Sequence, residues 1–201
     1  MKPAMTLATA SLAAVLLGCA SPEPRYYSLA SAPVAAPAAP VTQPIWIEVA
    51  PVRVPERLNR AQLVVADSTT GGVKMLDQSR WSSSLPDEFR DALSQQLQTK
   101  LGAVDTYQQG LAEVSPLYRV TTEVVRLDAE PGERAMATIT WTVRRQPDGK
   151  VLSGRTEADL PAPGQIDGVV AAYRQVVAAT ATDIAARVQT LRAQTDTATA
   201  R

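Results

Sequence analysis

Ala135-Met136-Ala137-Thr138-Ile139-Thr140-Trp141-Thr142-Val143-Arg144-Arg145 is the stretch that decides the fold class. Ala135, Ala137, Ile139, Trp141 and Val143 take every second position, and Met136, Thr138, Thr140, Thr142 and Arg144 fill the gaps. Successive side chains of a strand point to opposite faces, so this spacing predicts a strand with one wet face and one face on a core. Pro147-Asp148-Gly149 then supplies a turn, with glycine where a positive φ is needed. Lys150 to Glu157 is expected to fold back as a hairpin partner, and Tyr118 to Asp128, the other clear strand pattern, to pair on the opposite side. The result is an antiparallel meander of three strands.

Two helical stripes flank it. Leu85, Phe89, Leu93, Leu97 and Leu101 recur at spacing four between Ser84, a candidate N-cap with Asp87 three residues on, and Gly102. Arg90, Gln95, Gln98 and Lys100 are expected to face water. Beyond Pro161-Ala162-Pro163-Gly164, with Asp167 as cap, a long helix is predicted from Gly168 to Ala193. Its apolar stripe runs through Val169, Tyr173, Val176, Val177, Thr180, Ile184, Val188 and Leu191. Together these elements predict a single α+β domain over residues 45–193, a largely antiparallel sheet with two helices packed on one face. Aromatic residues are only 4% of the chain, so Val, Leu, Ile and Ala must build most of the core, with Trp46, Trp81, Trp141 and Phe89 as its few large pieces and Tyr118 also read as core.

Ahead of the first helix, Ile45 to Val52 alternates as a half-buried strand until Pro51 and Pro55, which cannot donate to a ladder, end it or hold it at an edge. Gln62 to Ala66 is a second short strand, and the turn-rich Asp67 to Gly72 brings Val73 to Leu76 back as a hairpin. Ser79-Arg80-Trp81 reads as the lead into the helix. Ala30 to Pro44 is rich in alanine and proline and reads as a linker. Tyr26-Tyr27-Ser28-Leu29 is either a docked edge strand or part of the tether; paired tyrosines favour docking. Residues 194–201 are small and polar, and a disordered tail is expected there.

The N-terminus has its own logic. Leu7 to Leu17 is too short to span a bilayer and suits the apolar region of a signal peptide over residues 1–18. It ends in Leu16-Leu17-Gly18-Cys19, which resembles the bacterial lipobox, in which the cysteine is acylated and becomes the first residue of the mature lipoprotein. The competing reading is an ordinary secretory signal with a chance cysteine. Ala20-Ser21 lacks the aspartate that commonly retains lipoproteins at the inner membrane, which points to the outer membrane. Residues 19–44 would then be a lipidated N-terminus and linker.

The chemistry present is sparse. Cys19 is the sole cysteine and there is no histidine, so the usual proton shuttle, metal ligands and activated thiol are missing. No catalytic residue, cofactor or metal is expected beyond the covalent lipid on Cys19, and the chain reads as a non-enzyme. Glu123, Asp128, Glu130 and Glu133 lie near strand ends and turns, where carboxylates are more often solvated than paired for catalysis. Lys+Arg and Asp+Glu are equal at 20 each, which recommends neither nucleic acid nor an anionic surface as partner.

Two further features stand out: Pro51-Val52-Arg53-Val54-Pro55-Glu56-Arg57-Leu58-Asn59-Arg60, and Arg80-Trp81 before a helix. With the lipobox, Tyr26-Tyr27-Ser28-Leu29 and Arg126-Leu127-Asp128, they resemble the auxiliary lipoproteins of ABC-type and MCE lipid-transport systems, the family that includes the paraquat-inducible protein C. Leu58 and Leu127 stand where that family often carries an aromatic. The resemblance implies an outer-membrane-anchored periplasmic lipoprotein acting with an MCE-domain protein and an inner-membrane transporter component to carry lipids and maintain envelope integrity. It also allows a homo-oligomer. Arg57 and Arg60 are candidate partner-binding residues, against the plainer reading of solvated loop charges. A lipid-binding carrier and a stand-alone structural envelope lipoprotein are the alternative functions.

Overall fold

The computed structural model describes residues 23–30, 44–67, 69–111 and 113–199. The expected signal peptide, Cys19 and most of the Ala/Pro run lie outside them. Among the described residues the elements are β1 (Arg25–Tyr27), β2 (Ile45–Val49), a 3₁₀ turn (Glu56–Leu58), β3 (Gln62–Asp67), β4 (Gly72–Trp81), α1 (Leu85–Leu101), β5 (Ala103–Asp105), β6 (Tyr118–Glu130), β7 (Arg134–Arg145), β8 (Val151–Pro161) and α2 (Gln165–Thr199).

The meander forms as expected, β7 pairing antiparallel with β6 from Tyr118↔Arg145 to Glu130↔Arg134 and with β8 from Arg144↔Val151 to Arg134↔Pro161. Ala135, Ala137, Ile139, Trp141 and Val143 are buried on its inner face. Trp141 lies so close to β8 that a Cβ at Gly154 would stand 2.3 Å from its ring, so glycine is required there. The indole N–H donates to Thr156 Oγ1 at 3.1 Å. β2 joins the sheet parallel to β6, and the three-residue β5 adds parallel to β2, giving the order β5-β2-β6-β7-β8. β2 stops before Pro51, yet the chain keeps beside β6 through Arg53 N–H to Thr122 O at 3.2 Å and Val124 N–H to Arg53 O at 2.8 Å.

Both helices cover the inner face, α1 over β5 and β2 and α2 over β6 to β8, and they pack on each other. Leu85, Phe89, Leu93 and Leu97 of α1 meet Tyr173, Val177, Ile184 and Val188 of α2 in one continuous core that also holds Trp81 and Tyr118. The fold is a single-domain α+β architecture. No helix among the described residues is long and apolar enough to cross a membrane.

Several details differ from the sequence reading. The strands do not form one sheet: β1, β4 and β3 make a second, three-stranded sheet in the order β1-β4-β3. Ser79-Arg80-Trp81 ends β4, because Tyr27 pairs parallel with Trp81 there and both pack inward. Arg90 does not face water but is 6% exposed, for a reason given below. The second helix continues through residues 194–199, where disorder was expected, since no Gly or Pro after Gly168 interrupts it.

Tyr26-Tyr27-Ser28-Leu29 is docked. Leu29 is 2% exposed, and Ser28 O accepts bonds from Arg174 Nε and NH2 at 3.0 and 2.7 Å. Glu88, in the first turn of α1, binds the same segment and the loop before the helix: Ser28 Oγ and Leu29 N–H each donate to it at 2.8 Å, Ser83 N–H and Oγ at 3.1 and 3.0 Å, and Ser82 Oγ as well. Burial pushes this carboxyl up, but the donors from Ser82, Leu29, Ser28 and Ser83 outweigh it and hold the group below the ordinary glutamate range.

Candidate functional site

The Pro51-to-Arg60 stretch is built around a buried leucine. Pro55 fixes φ ahead of the 3₁₀ turn, Leu58 N–H donates back to Pro55 O at 2.8 Å, and the Leu58 side chain, 4% exposed, enters the core. Tying Leu58 inward leaves its neighbour Arg57 outside, on the side of β6. Arg57 NH2 donates to Asp128 Oδ1 at 3.2 Å, and Arg126 Nε donates to Asp128 Oδ2 at 2.7 Å, so one carboxylate is shared by two guanidiniums.

A bulge in β6 makes this possible. Pairing slips between Val124 and Arg126, so Val125 is the extra residue. Without the slip Arg126 and Asp128 would turn to the core face; with it they point out and Leu127 turns in, at 2% exposure. Between this corner and the β3–β4 hairpin runs a groove of about 370 Å³. Arg57, Arg126, Asp128 and Glu130 stand along it, and Leu58, Val64, Val73, Leu127 and Met136 give it apolar walls. Leu58 and Leu127 thus come together at one place. Beneath them lies a void of about 10 Å³, also lined by Trp81 and Tyr173. The Tyr173 hydroxyl is buried without a hydrogen-bond partner; burial raises its pKa well above the ordinary range, with the Asp128 charge reinforcing and Arg57 opposing.

The outward face of the hairpin continues the apolar surface. Val64 pairs with Met75 and Ala66 with Val73, and Val73 and Met75 are more than half exposed. Arg60 belongs to this hairpin and not to the groove: its NH1 donates to the Met75 sulfur and its Nε is buried without a partner. The two candidate arginines therefore occupy different settings, Arg57 on the groove and Arg60 half-buried beside Met75.

Glu123 is bound by Arg53 at 3.1 Å and Glu130 by Arg134 at 3.4 Å, so with Asp128 three of the four acidic residues weighed for catalysis face an arginine. Among the described residues no group of three or more His, Cys, Asp or Glu could hold a metal ion. Behind the sheet, Asp105 accepts from Arg90 NH2 at 2.8 Å, Ser94 Oγ at 2.6 Å, Tyr107 N–H at 3.1 Å and Val49 N–H at 3.3 Å. Arg90 also donates to Val49 O at 3.2 Å and lies 4.4 Å from the Tyr107 ring centre. That set of partners is what draws Arg90 out of water. Hydrophobic periodicity did not single it out; the signals were an arginine three residues before Leu93, about 60° of helix rotation from the leucine stripe, and an aspartate closing a three-residue strand.

Comparison with known proteins gives the same fold. A family model described as ABC-type transport auxiliary lipoprotein component matches residues 27–185. A crystal structure of an uncharacterised protein, 19% identical, is matched over 83% of this chain and 99% of its own with a TM-score of 0.63. A second, from Xanthomonas campestris, is 18% identical over 80% of this chain and 92% of its own, at a TM-score of 0.56. No curated protein matches the sequence.

Proposed function

The chain belongs to the family of ABC-type transport auxiliary lipoprotein components, and on that premise we propose that it is the outer-membrane-anchored, periplasmic subunit of an MCE-type lipid transport system. It acts by contact with an MCE-domain protein and an inner-membrane transporter component, carries out no catalysis, and supports envelope integrity. The observation that carries the reading is the groove: apolar walls flanked by Arg57 and Arg126 on a shared aspartate, with only about 10 Å³ of space beneath it between Leu58, Leu127, Trp81 and Tyr173. Such a surface favours a partner held outside over a lipid held inside, and arginine's planar fork suits interfaces.

Docking of β1 changes the expected role of the linker. Acylation at Cys19 leaves only six residues before Arg25, which at about 3.5 Å each let the domain stand no more than about 20 Å from the membrane surface. The Ala/Pro run falls between two docked strands and is not part of that tether.

Affinity purification of the lipoprotein from detergent-solubilised envelope is the test. The MCE protein and the inner-membrane component should be recovered with it; their absence from a preparation retaining the folded, acylated chain overturns the reading. Cys19→Ala should abolish incorporation of labelled palmitate and release the chain from the membrane fraction, because each buried methylene contributes about 0.8 kcal/mol of anchoring.

A further inference from the structure

β8 is an edge strand of eleven residues, and no described strand lies beyond it. Arg145 N–H donates to Lys150 O at 2.8 Å, which sets the phase of the β7–β8 ladder. By the alternation of antiparallel bonding, the even-numbered residues of β8 bond to β7, and Ser153, Arg155, Glu157 and Asp159 turn their N–H and C=O groups outward. Such an edge is a template for another strand.

We propose that this edge pairs antiparallel with the same edge of a second copy, about a two-fold axis at Thr156, to make one continuous ten-stranded sheet. The sequence of the strand selects the occupant and the register. Centred on Thr156, the pairing sets Arg155 opposite Glu157 twice, Ser153 opposite Asp159, and the half-buried Leu152 opposite Leu160 on the inner face. Arg155 and Glu157 are 60% and 66% exposed and already lie on one face, 3.3 Å apart. Sliding by two residues one way places Arg155 against Arg155; sliding the other way places Glu157 against Glu157 and Ser153 against Pro161, which has no N–H to give. Like charges directly opposite are unfavourable in a sheet, so of these registers only the central one opposes no like charges; it sets Pro161 opposite Val151, but only at the two ends of the ladder. The competing role for these charges is to keep strangers off the edge. That role requires no self-complementarity.

The test uses the full acylated chain in detergent. Ser153→Cys and Asp159→Cys chains, mixed, should form a disulfide between the two variants, since paired Cα atoms of a hydrogen-bonded register lie about 5.5 Å apart, within disulfide range. Ser153→Cys alone should cross-link far less. By sedimentation, Arg155→Glu should weaken self-association about tenfold or more, and Arg155→Glu with Glu157→Arg should restore it, because attractive pairs become repulsive and then attractive again. Mixed variants that cross-link no better than Ser153→Cys alone overturn the pairing. So does an Arg155→Glu chain that is folded by circular dichroism and associates like its parent, or a parent that remains monomeric. The outcome is independent of which transport partner the groove meets.

Discussion

Two arginine–aspartate pairs sit on opposite sides of this domain. Arg90 and Asp105 are 7% and 0% exposed and face each other inside a shell of four further donors and acceptors. Arg57 and Asp128 are 44% and 31% exposed at the edge of a groove. The inner pair can serve only the fold: desolvation has been offset by hydrogen bonds, and nothing from outside can reach it. The outer pair contributes little to stability because water and salt screen it, and the same openness leaves its guanidiniums available to a partner. The same two residue types therefore carry opposite meanings, and burial decides which.

The largest expected effect tests the inner pair. Asp105→Ala removes the buried counter-charge of Arg90, leaving it only the half-exposed Asp91 carboxylate at 2.6 Å, and should cost about 3 kcal/mol in urea unfolding, whereas Asp128→Ala should stay within about 1 kcal/mol of the parent. Equal losses at the two positions would erase the contrast. Next come the helices that close the inner side: Leu93→Ala and Ile184→Ala, both at 0% exposure, should each cost about 2–5 kcal/mol. A melting temperature unchanged in both would place the inner stripes in solvent.

Glu88 sharpens the comparison with pH. Its folded-state pKa is depressed, so its contribution is fully present above the ordinary glutamate range and is lost as pH falls through the lower folded value. Glu88→Gln should melt below the parent at pH 7, and the gap should close progressively as the pH drops below the ordinary glutamate range. A gap that stays constant with pH would show that charge on Glu88 does not hold the N-terminal segment.

How far these regions could be read in the sequence follows from the range of the forces involved. The meander was legible because alternation over eleven residues and a Pro-Asp-Gly turn are local signals, and the helices because leucine spacing is. β5 was not, since three residues carry no period; the β3–β4 hairpin was, but not its separation into a second sheet with β1, which pairs through Tyr27 and Trp81, 54 positions apart. Arg90 was misread because helical periodicity assigns a face but does not know that Asp105 waits under it. The groove needed the bulge at Val125, a slip in pairing that leaves the residue pattern around it unremarkable. Arg57 was legible as a candidate only because prolines and arginines crowd its stretch; its separation from Arg60 was not.

That separation makes the smallest expected effect on stability the most informative about function. Arg57→Glu removes one of two cations from Asp128 and leaves Arg126 in place at 2.7 Å, so the fold keeps a neutralised aspartate. The change should move the melting temperature by no more than about 3 °C, the scale of an exposed pair in a chain of this size. Arg60→Glu is a poorer probe, because it puts a carboxylate where a half-buried guanidinium packs on Met75, and it should melt lower. If the groove meets the transport partner, Arg57→Glu reverses the sign of one rim charge at an intact surface, and recovery of the partner should fall sharply while Arg57→Lys retains part of it. An Arg57→Glu protein that melts like the parent and still recovers the partner in full would show the outer pair to be as inert as a solvated loop charge, and burial alone would then not separate the two sides of the molecule.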